Sequence, residues 1–342
     1  MSAPAGPRTR YSVDPWDPGY GVALRDELEE TGRGGGGLEA SSAQLDLDLE
    51  VLAGRWRPID PDPAVGLPPT LAFLDGVRRI DARIWVHGGT PQPSASIAAS
   101  FAAGLVRCAV PGGRPPREAV QGGCVARVCD VAVERGLFTT SADAADIGAG
   151  RVRYIARKAD GGGPEKLSLA LQQRLTETEV ELAQQFRARH HAGDDLLIVD
   201  GPLRGRTHLE RTVGYIKTHH TSYLPAAQAA VVASLAPGQR SPVFTMGTSW
   251  RRNSWYLRLP GAPGAPWSGV VRLECPADLP ATQSARLADV TARLLPPLAS
   301  APHKDPRAPQ NLVPIGGLER ELRHRLGDRE LLYRTLRAAA GA

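Results

Sequence analysis

The spacing of apolar and polar residues changes along the chain, and the change predicts a mixed α/β fold. Apolar or alternating residues, typical of β-strands, occupy the segments 71–74, 97–110 and 124–134. Over 165–191 the apolar residues recur every three or four positions, which indicates an amphipathic helix. Four consecutive apolar residues follow at 196–199. We therefore expect the helix to lead into a strand that is buried on both faces in the middle of a sheet.

The remaining elements complete this pattern on both sides of the long helix. The pattern predicts a strand, a turn and a second strand within 69–86, a short strand at 151–157, a strand or the start of a helix at 212–217, a helix at 225–235, strands at 254–259 and 269–275, and helices at 281–300, 315–326 and 328–340. This order is that of an RNase H-like fold, although order alone is weak evidence. The expected fold class is α/β, an RNase H-like mixed sheet with flanking helices and an N-terminal extension.

Residues 1–68 differ from the rest of the chain in composition and residue pattern, so we divide the chain into an N-terminal extension and a domain over 69–342. The extension contains a glycine run, an acidic alternation and a proline-rich stretch, at 34–37, 44–50 and 58–63. The glycine run lacks the Gly-Lys-Ser/Thr ending of a phosphate-binding loop, so we interpret it as a linker. We expect the extension to be partly helical or flexible, with short helices around 21–31 and 41–54.

The composition is that of a soluble globular protein with a mild basic bias. Hydrophobic residues make up 42% and charged residues 23%, and the net charge is +5. This charge is compatible with a nucleic-acid partner but does not prove one. No segment approaches the roughly 18 apolar residues of a membrane span, and the N-terminus has no secretory signal, so we expect a cytoplasmic protein with no membrane contact. The four cysteines form no Cys-x-x-Cys pair, which predicts buried thiols in a reducing compartment.

Two aspartates occupy equivalent places in two apolar segments. In LAFLDG (71–76) and LLIVDG (196–201) an apolar run ends in Asp75 or Asp200, and a glycine follows. A glycine lets the backbone turn sharply, so we expect each strand to end there and each carboxylate to project from the sheet edge. Neighbouring carboxylates would then hold Mg²⁺ or Mn²⁺, which bind oxygen ligands at about 2.0–2.1 Å. A single Asp-Gly pair, in contrast, more often marks an ordinary turn.

The order of several short motifs resembles that of the NurA family of nucleases. The motifs are FLDGVRR (73–79), LLIVDGPL (196–203), VGYIKTH (213–219), SWYLRL (254–259), GVVRLE (269–274) and the tail that begins at His303. The resemblance rests on the order and spacing of these motifs over roughly 69–326. It implies a manganese-dependent 5′-to-3′ exonuclease that also cuts single strands internally. Such an enzyme acts on DNA as a homodimer docked on a HerA-like hexameric ATPase.

The resemblance also implies roles for individual residues. Asp75 and Asp200 would be ligands of Mn²⁺ or Mg²⁺, and a glutamate on the helix before Asp200 would be the third ligand. His303 would be a late catalytic or metal-binding histidine, and Lys217 would contact the scissile phosphate. Without the family, Lys217 is as readily a surface lysine, and His303 is a solvated residue in a proline-bounded loop.

Three glutamates, Glu177, Glu179 and Glu181, compete for the place of the third ligand. The apolar stripe of their helix comprises Leu171, Leu175, Leu182 and Phe186. Glu179 lies about 50° from the middle of that stripe, whereas Glu181 and Glu177 lie about 110° and 150° away. A carboxylate at the edge of a buried stripe is costly unless a cation or hydrogen bonds compensate it. The helix phase therefore favours Glu179 as the ligand.

Two alternative functions are compatible with the same sequence features. One is a catalytically silent nucleic-acid-binding or scaffold subunit of a DNA-translocase complex. The intact carboxylates argue against this function. The other is an actin-like sugar kinase, which is disfavoured because GVRR and GPLR follow the aspartates instead of Gly-Thr-rich turns. The sequence leaves open the polarity of digestion, DNA against RNA preference, the physiological metal, a role in repair or in defence, and the role of residues 1–68.

Overall fold

The structure is a computed structural model that describes residues 9–15, 39–40, 43–88, 91–110, 126–161, 163–190, 195–219, 221–261, 264 and 266–341. Its strands, in chain order, are β1 (Arg10–Val13), β2 (Glu39–Ala40), β3 (Gln44–Asp46), β4 (Thr70–His87), β5 (Ser94–Ala109), β6 (Arg127–Thr139), β7 (Ile147–Ala149), β8 (Val152–Lys158), β9 (Asp195–Asp200), β10 (Thr212–Ile216), β11 (Thr221–Ser222), β12 (Phe244–Gly247), β13 (Arg251–Arg258) and β14 (Val270–Pro276). Its helices are α1 (Pro164–Arg189), α2 (Ala226–Ala233), α3 (Ala281–Leu294), α4 (Val313–Arg325) and α5 (Arg329–Ala340).

One large mixed sheet organises the described part of the chain. From edge to edge its order is β3-β12-β13-β14-β10-β9-β4-β5-β6-β8-β7, and β1 pairs with β4 outside this path. Strands β4, β5 and β6 are antiparallel neighbours, whereas β9 is parallel to both β4 and β10. Three antiparallel strands followed by two strands parallel to the first make an RNase H-like core. The predicted α/β class, with a mixed sheet and flanking helices, is therefore confirmed.

Helices cover both faces of the central strands, and the alternation of strand side chains explains why. In β4, Phe73 packs in the layer of α3 and α4, whereas Ala72 and Leu74 pack in the layer of α1. In β9, Ile198 and Val199 face these two layers in the same way. Burial on both faces explains the unbroken apolar runs in these strands.

Parts of the chain before residue 69 belong to this sheet. Strand β1 pairs with the far end of β4, and β3 pairs with β12 at the sheet edge. The predicted helix at 41–54 is wrong, since the segment contains the strand β3 and a short 3₁₀ turn at Ala53–Arg55. The alternation of polar and apolar residues in QLDLDLE has the period of two that a strand needs. The helix predicted at 21–31 lies outside the described residues.

Other predicted elements differ mainly in their ends. The strand, turn and strand predicted within 69–86 form the single strand β4, with a bulge between Ile80 and Ala82. The helix predicted at 281–300 ends at Leu294, because two prolines follow shortly after it. The segment 212–217, for which two structures were open, forms the strand β10.

Two expectations from composition can be compared with the structure. Cys108 and Cys275 are buried as expected, but Cys129 is exposed, and Cys124 lies outside the described residues. Among the helices that the structure describes, none combines the length and the apolar character needed to cross a membrane.

Candidate metal centre

Asp75 lies in the middle of β4 and not at its end. The strand continues through Gly76 to His87, so the predicted turn after Asp75 is wrong. A Cβ atom at Gly76 would lie 2.5 Å from Glu179 Oε1 and 2.8 Å from Leu175 Cδ1. The glycine therefore allows α1 to pack closely on the sheet, which explains its presence without a turn. Asp75 itself is 8% exposed.

Asp200 ends β9, as the sequence predicted. Gly201 follows with a φ of 111°, a conformation that favours glycine, and the chain leaves the sheet there. Leu74 of β4 and Val199 of β9 are paired neighbours in parallel strands. The next residue in each strand is therefore an aspartate, and the parallel register places Asp75 beside Asp200. Both side chains lie on the face of the sheet that α4 covers, because side chains alternate along a strand.

A third carboxylate comes from α4. Glu319 is 6% exposed and lies within the stripe of the helix that contains Leu318 and Leu322. Gly104 of β5, the partner of Asp75, allows this approach, since a Cβ atom there would lie 2.8 Å from Leu322 Cδ2 and 2.9 Å from Leu318 Cδ1. Glu319 is not among the residues predicted from the sequence, although the helical spacing of its apolar neighbours is the signal that could have identified it.

Asp75, Asp200 and Glu319 form a cluster that could hold a metal ion. Each residue offers one carboxylate oxygen, and these oxygens all lie within 4.8 Å of one another. Oxygen ligands suit hard divalent cations such as Mg²⁺, Mn²⁺ and Ca²⁺. Three largely buried carboxylates also repel one another unless a metal cation, cationic side chains or protons compensate their charge. The donor set therefore fits a divalent cation, which these three residues would hold.

The pKa values of the cluster follow from burial and charge. Burial, together with the charge of Asp200, raises the pKa of Asp75 well above its usual value. Burial also raises the pKa of Asp200, although Lys217 opposes the change. At Glu319 burial acts in the same direction, but the hydrogen bonds of Arg307 and the charge of Lys217 bring its pKa below the usual value. Perturbed carboxyl groups of this kind are typical of functional sites.

Lys217 follows β10 directly and lies inside the cluster. Its Nζ atom is 2.5 Å from Asp200 Oδ2 and 3.9 Å from Glu319 Oε1. It also donates a hydrogen bond of 2.9 Å to Asn311 Oδ1, and the Asn311 amide donates one of 2.6 Å to Asp305 Oδ2. The lysine predicted to contact the phosphate therefore lies beside an aspartate of the cluster, held by the segment that precedes α4.

Arg307, in the same segment, closes the outer side of the cluster. Its Nη1 and Nη2 atoms donate hydrogen bonds of 2.8 and 2.6 Å to Glu319 Oε1 and Oε2. It also contacts Asp305, and its side chain is 48% exposed. Arg323 Nη2 lies 3.9 Å from Glu319 Oε2. Glu319 is thus surrounded by cationic side chains on the side that faces solvent.

Glu179 approaches the same region from the opposite face of the sheet. It is 8% exposed, as its helix phase predicted, and it pairs with Arg206 in the segment after β9. Burial raises the pKa of Glu179 to about 7, Arg206 opposes this change, and Asp200 adds to it. The neighbouring Glu177 and Glu181 bind Arg174 instead. The role of Glu179 as a metal ligand stays a prediction.

The structure does not bring His303 among the carboxylates. His303 is exposed in the segment between α3 and α4. The same segment contributes Asp305, Arg307 and Asn311 to the surroundings of the cluster. These three residues were missed because no periodicity marks an irregular segment, and the role predicted for His303 stays untested.

A comparison with protein-family models identifies the family of this chain. The NurA domain model matches residues 135–315, more than half of the chain. The chain belongs to the NurA family. The matched region contains Glu179, Asp200, Lys217 and His303, whereas Asp75 and Glu319 lie on either side of it. The predicted family is thereby confirmed.

Among solved structures, the NurA nuclease from Sulfolobus solfataricus is similar to this chain. It is 10% identical, the similarity covers 79% of this chain and 84% of that one, and the TM-score is 0.41. No curated protein matches the chain.

Proposed function

We propose that this NurA-family chain is a divalent-metal-dependent deoxyribonuclease. The observation that supports the proposal most directly is the cluster of Asp75, Asp200 and Glu319, whose oxygens lie within 4.8 Å of one another. Phosphodiester hydrolysis is the reaction for which such carboxylate clusters hold cations in many enzymes. Mn²⁺ is the proposed cofactor and Mg²⁺ the alternative. We further propose 5′-to-3′ exonuclease and single-strand endonuclease activity, in DNA end processing, repair or defence.

Each residue of the cluster has a proposed part in this reaction. A bound divalent cation would polarise the phosphoryl group and lower the pKa of an attacking water. Asp75, Asp200 and Glu319 would hold the cation, and Glu179 is proposed as a ligand for a second one. Lys217 neutralises charge that develops on the phosphate, because its ammonium group lies next to Asp200. His303, in the exposed segment before α4, is proposed as a catalytic or metal-binding residue.

The direct test is incubation of purified protein with linear DNA labelled at either end, with Mn²⁺, with Mg²⁺ and with chelator. We expect cleavage that requires the metal and that is lost in Asp75→Asn and in Asp200→Asn. Both changes keep the size of the side chain and remove the charge that binds the cation. The matched control is Asp160→Asn, at an exposed position between β8 and α1. Wild-type activity in either cluster variant would contradict the proposal.

The alternative function is a silent nucleic-acid-binding or scaffold subunit of a DNA-translocase complex. It predicts DNA binding without metal-dependent cleavage, and it predicts that Asp75→Asn binds DNA as wild type does. The buried carboxylates count against it, because burying charge costs stability that a scaffold would have no reason to lose. The labelled-DNA experiment separates the two functions directly.

The proposed assembly is a homodimer that docks on a HerA-like hexameric ATPase, in the cytoplasm. Either the segment before residue 69 or the helices α4 and α5 would supply the contact surface. Light scattering at micromolar concentration tests the dimer, and a strict monomer would count against it.

A further inference from the structure

The cluster of carboxylates is nearly charge-balanced without a metal. Its acidic members are Asp75, Asp200, Asp305 and Glu319, and its basic members are Lys217, Arg307 and Arg323. Together these acidic and basic side chains carry at most one surplus negative charge. A bound divalent cation would add two positive charges and so make the net charge of the group positive. The cluster would therefore attract an anion only after it has bound metal.

Arg307 is the basic side chain that this change affects most. It forks onto both oxygens of Glu319, at 2.8 and 2.6 Å, and so uses the carboxylate that a cation would also need. Lys217 is 17% exposed and is held from two sides by Asp200 and Asn311, whereas Arg307 is 48% exposed at the rim. Of these two side chains only Arg307 has room to turn outward, and Arg323, which is 66% exposed, lies 3.9 Å from Glu319 and makes no close pair with it.

We propose that Arg307 is a substrate-binding residue whose release depends on the metal. In the metal-free protein it is held on Glu319. When Glu319 binds a divalent cation, the guanidinium turns to a phosphodiester group of the nucleic acid, which matches its two parallel donors. Metal binding thus creates the phosphate subsite, and the protein binds its substrate in the order metal first, nucleic acid second. This inference rests on the proposed function of the cluster.

If Arg307 moves from Glu319 to a phosphate when metal binds, Arg307→Ala should change the affinity for metal and the affinity for DNA in opposite directions. Arg307→Ala removes a cation that competes for Glu319, so Ca²⁺ or Mn²⁺ binding measured by calorimetry without DNA should become tighter by several-fold. The same change removes a charge-assisted contact to phosphate, so DNA binding in the presence of Ca²⁺ should weaken by about tenfold. In chelator the variant and the wild type should bind DNA equally, because Arg307 is held on Glu319 there.

The experiment is fluorescence anisotropy with a labelled phosphorothioate oligodeoxynucleotide, with Ca²⁺ or with chelator, and a gel confirms that the probe stays intact. Arg307→Lys should keep part of the metal-dependent gain, since it keeps the charge but not the fork. Arg325→Ala is the matched control, because Arg325 is 47% exposed and pairs with Glu321 on the same helix as Glu319. It should leave both affinities near those of wild type.

Glu319→Gln tests the release step without any metal. The variant lacks the charge of Glu319 and leaves Arg307 paired with Asp305 alone, at 3.3 Å, so it should bind the oligonucleotide in chelator more tightly than wild type does. The double variant Glu319→Gln with Arg307→Ala should lose this gain. If Arg307→Ala weakens DNA binding equally with Ca²⁺ and with chelator, or if Glu319→Gln gains nothing, the inference is overturned. If wild-type protein binds no divalent cation in calorimetry, the proposed function fails instead, and the Glu319→Gln result still reports on Arg307.

Discussion

Glu179 and Glu319 carry the same chemical group but reach the aspartates from opposite faces of the sheet. Glu319 lies with Asp75 and Asp200 in the cluster of oxygens, whereas Glu179 is paired with Arg206. In Mn²⁺ titrations followed by electron paramagnetic resonance, we expect Glu319→Gln to weaken the tightest site by at least about tenfold, because it loses a charged ligand. We expect Glu179→Gln to keep that site and to lose a weaker, second one.

The opposite result would assign the first cation to Glu179. Loss of the tightest site in Glu179→Gln, with normal binding in Glu319→Gln, would contradict the assignment. Glu177→Gln is the control, because Glu177 is exposed on the same helix as Glu179 and binds Arg174.

The two glutamates also show how far single residues could be predicted from the sequence. The helix phase correctly gave Glu179 as the buried glutamate of α1, and the apolar run before Asp200 correctly gave the end of β9. The same phase argument holds for Glu319, but nothing in the sequence says that α4 crosses the sheet above Asp75. That contact depends on tertiary packing, and so does the folding of the segment that delivers Arg307.

At the scale of elements, two glycines set how closely the helices approach the sheet. Helix α1 packs against Gly76 and helix α4 packs against Gly104. At either glycine, an added Cβ atom would lie less than 3.0 Å from side-chain atoms of the helix. We expect Gly76→Ala and Gly104→Ala to lower the free energy of unfolding by about 1–3 kcal/mol each, since overpacking displaces buried side chains. Urea denaturation measures both changes, and Gly104→Ala should also weaken Mn²⁺ binding by moving Glu319.

Gly317 offers a matched control for these two variants. It lies in α4, where an added Cβ atom has nothing within 4 Å. Gly317→Ala should therefore stabilise the protein by up to about 1 kcal/mol through helix propensity alone. Stability unchanged in Gly76→Ala or in Gly104→Ala would show that the helix concerned can shift without cost.

The glycine in FLDG also explains the principal error at the scale of elements. A glycine after an aspartate was interpreted as a turn, which is its most frequent local meaning. In β4 the local conformation is extended, and the glycine is needed because a helix packs against it. Sequence patterns report local conformation well, as the bounds of α1 and β9 show, but a close approach between distant elements leaves no periodic trace.

At the scale of the whole molecule, the segment 43–68 is tied to the sheet by a buried ion pair. Arg240 is 2% exposed, and its guanidinium donates to both oxygens of Glu50 at 2.9 Å and to Asp289 at 2.6 Å. Glu50 Oε2 also accepts a hydrogen bond of 2.6 Å from the backbone of Val243, next to β12. Glu50 therefore joins this segment to a strand edge that β3 also covers.

Removing Glu50 would leave Arg240 with half of its compensating charge in a buried position. We expect Glu50→Ala to lower the free energy of unfolding by about 3 kcal/mol, since breaking a buried pair leaves an uncompensated charge. The control is Glu321→Ala, whose pair with Arg325 is exposed and should contribute less than about 1 kcal/mol.

Urea denaturation should remain a single transition in both variants if the segment unfolds together with the domain. An unchanged midpoint in Glu50→Ala, or a separate early transition, would instead mean that the chain before residue 69 is an independent extension. Mn²⁺ affinity should stay at the wild-type value in Glu50→Ala, because Glu50 takes no part in the contacts of Asp75, Asp200 and Glu319.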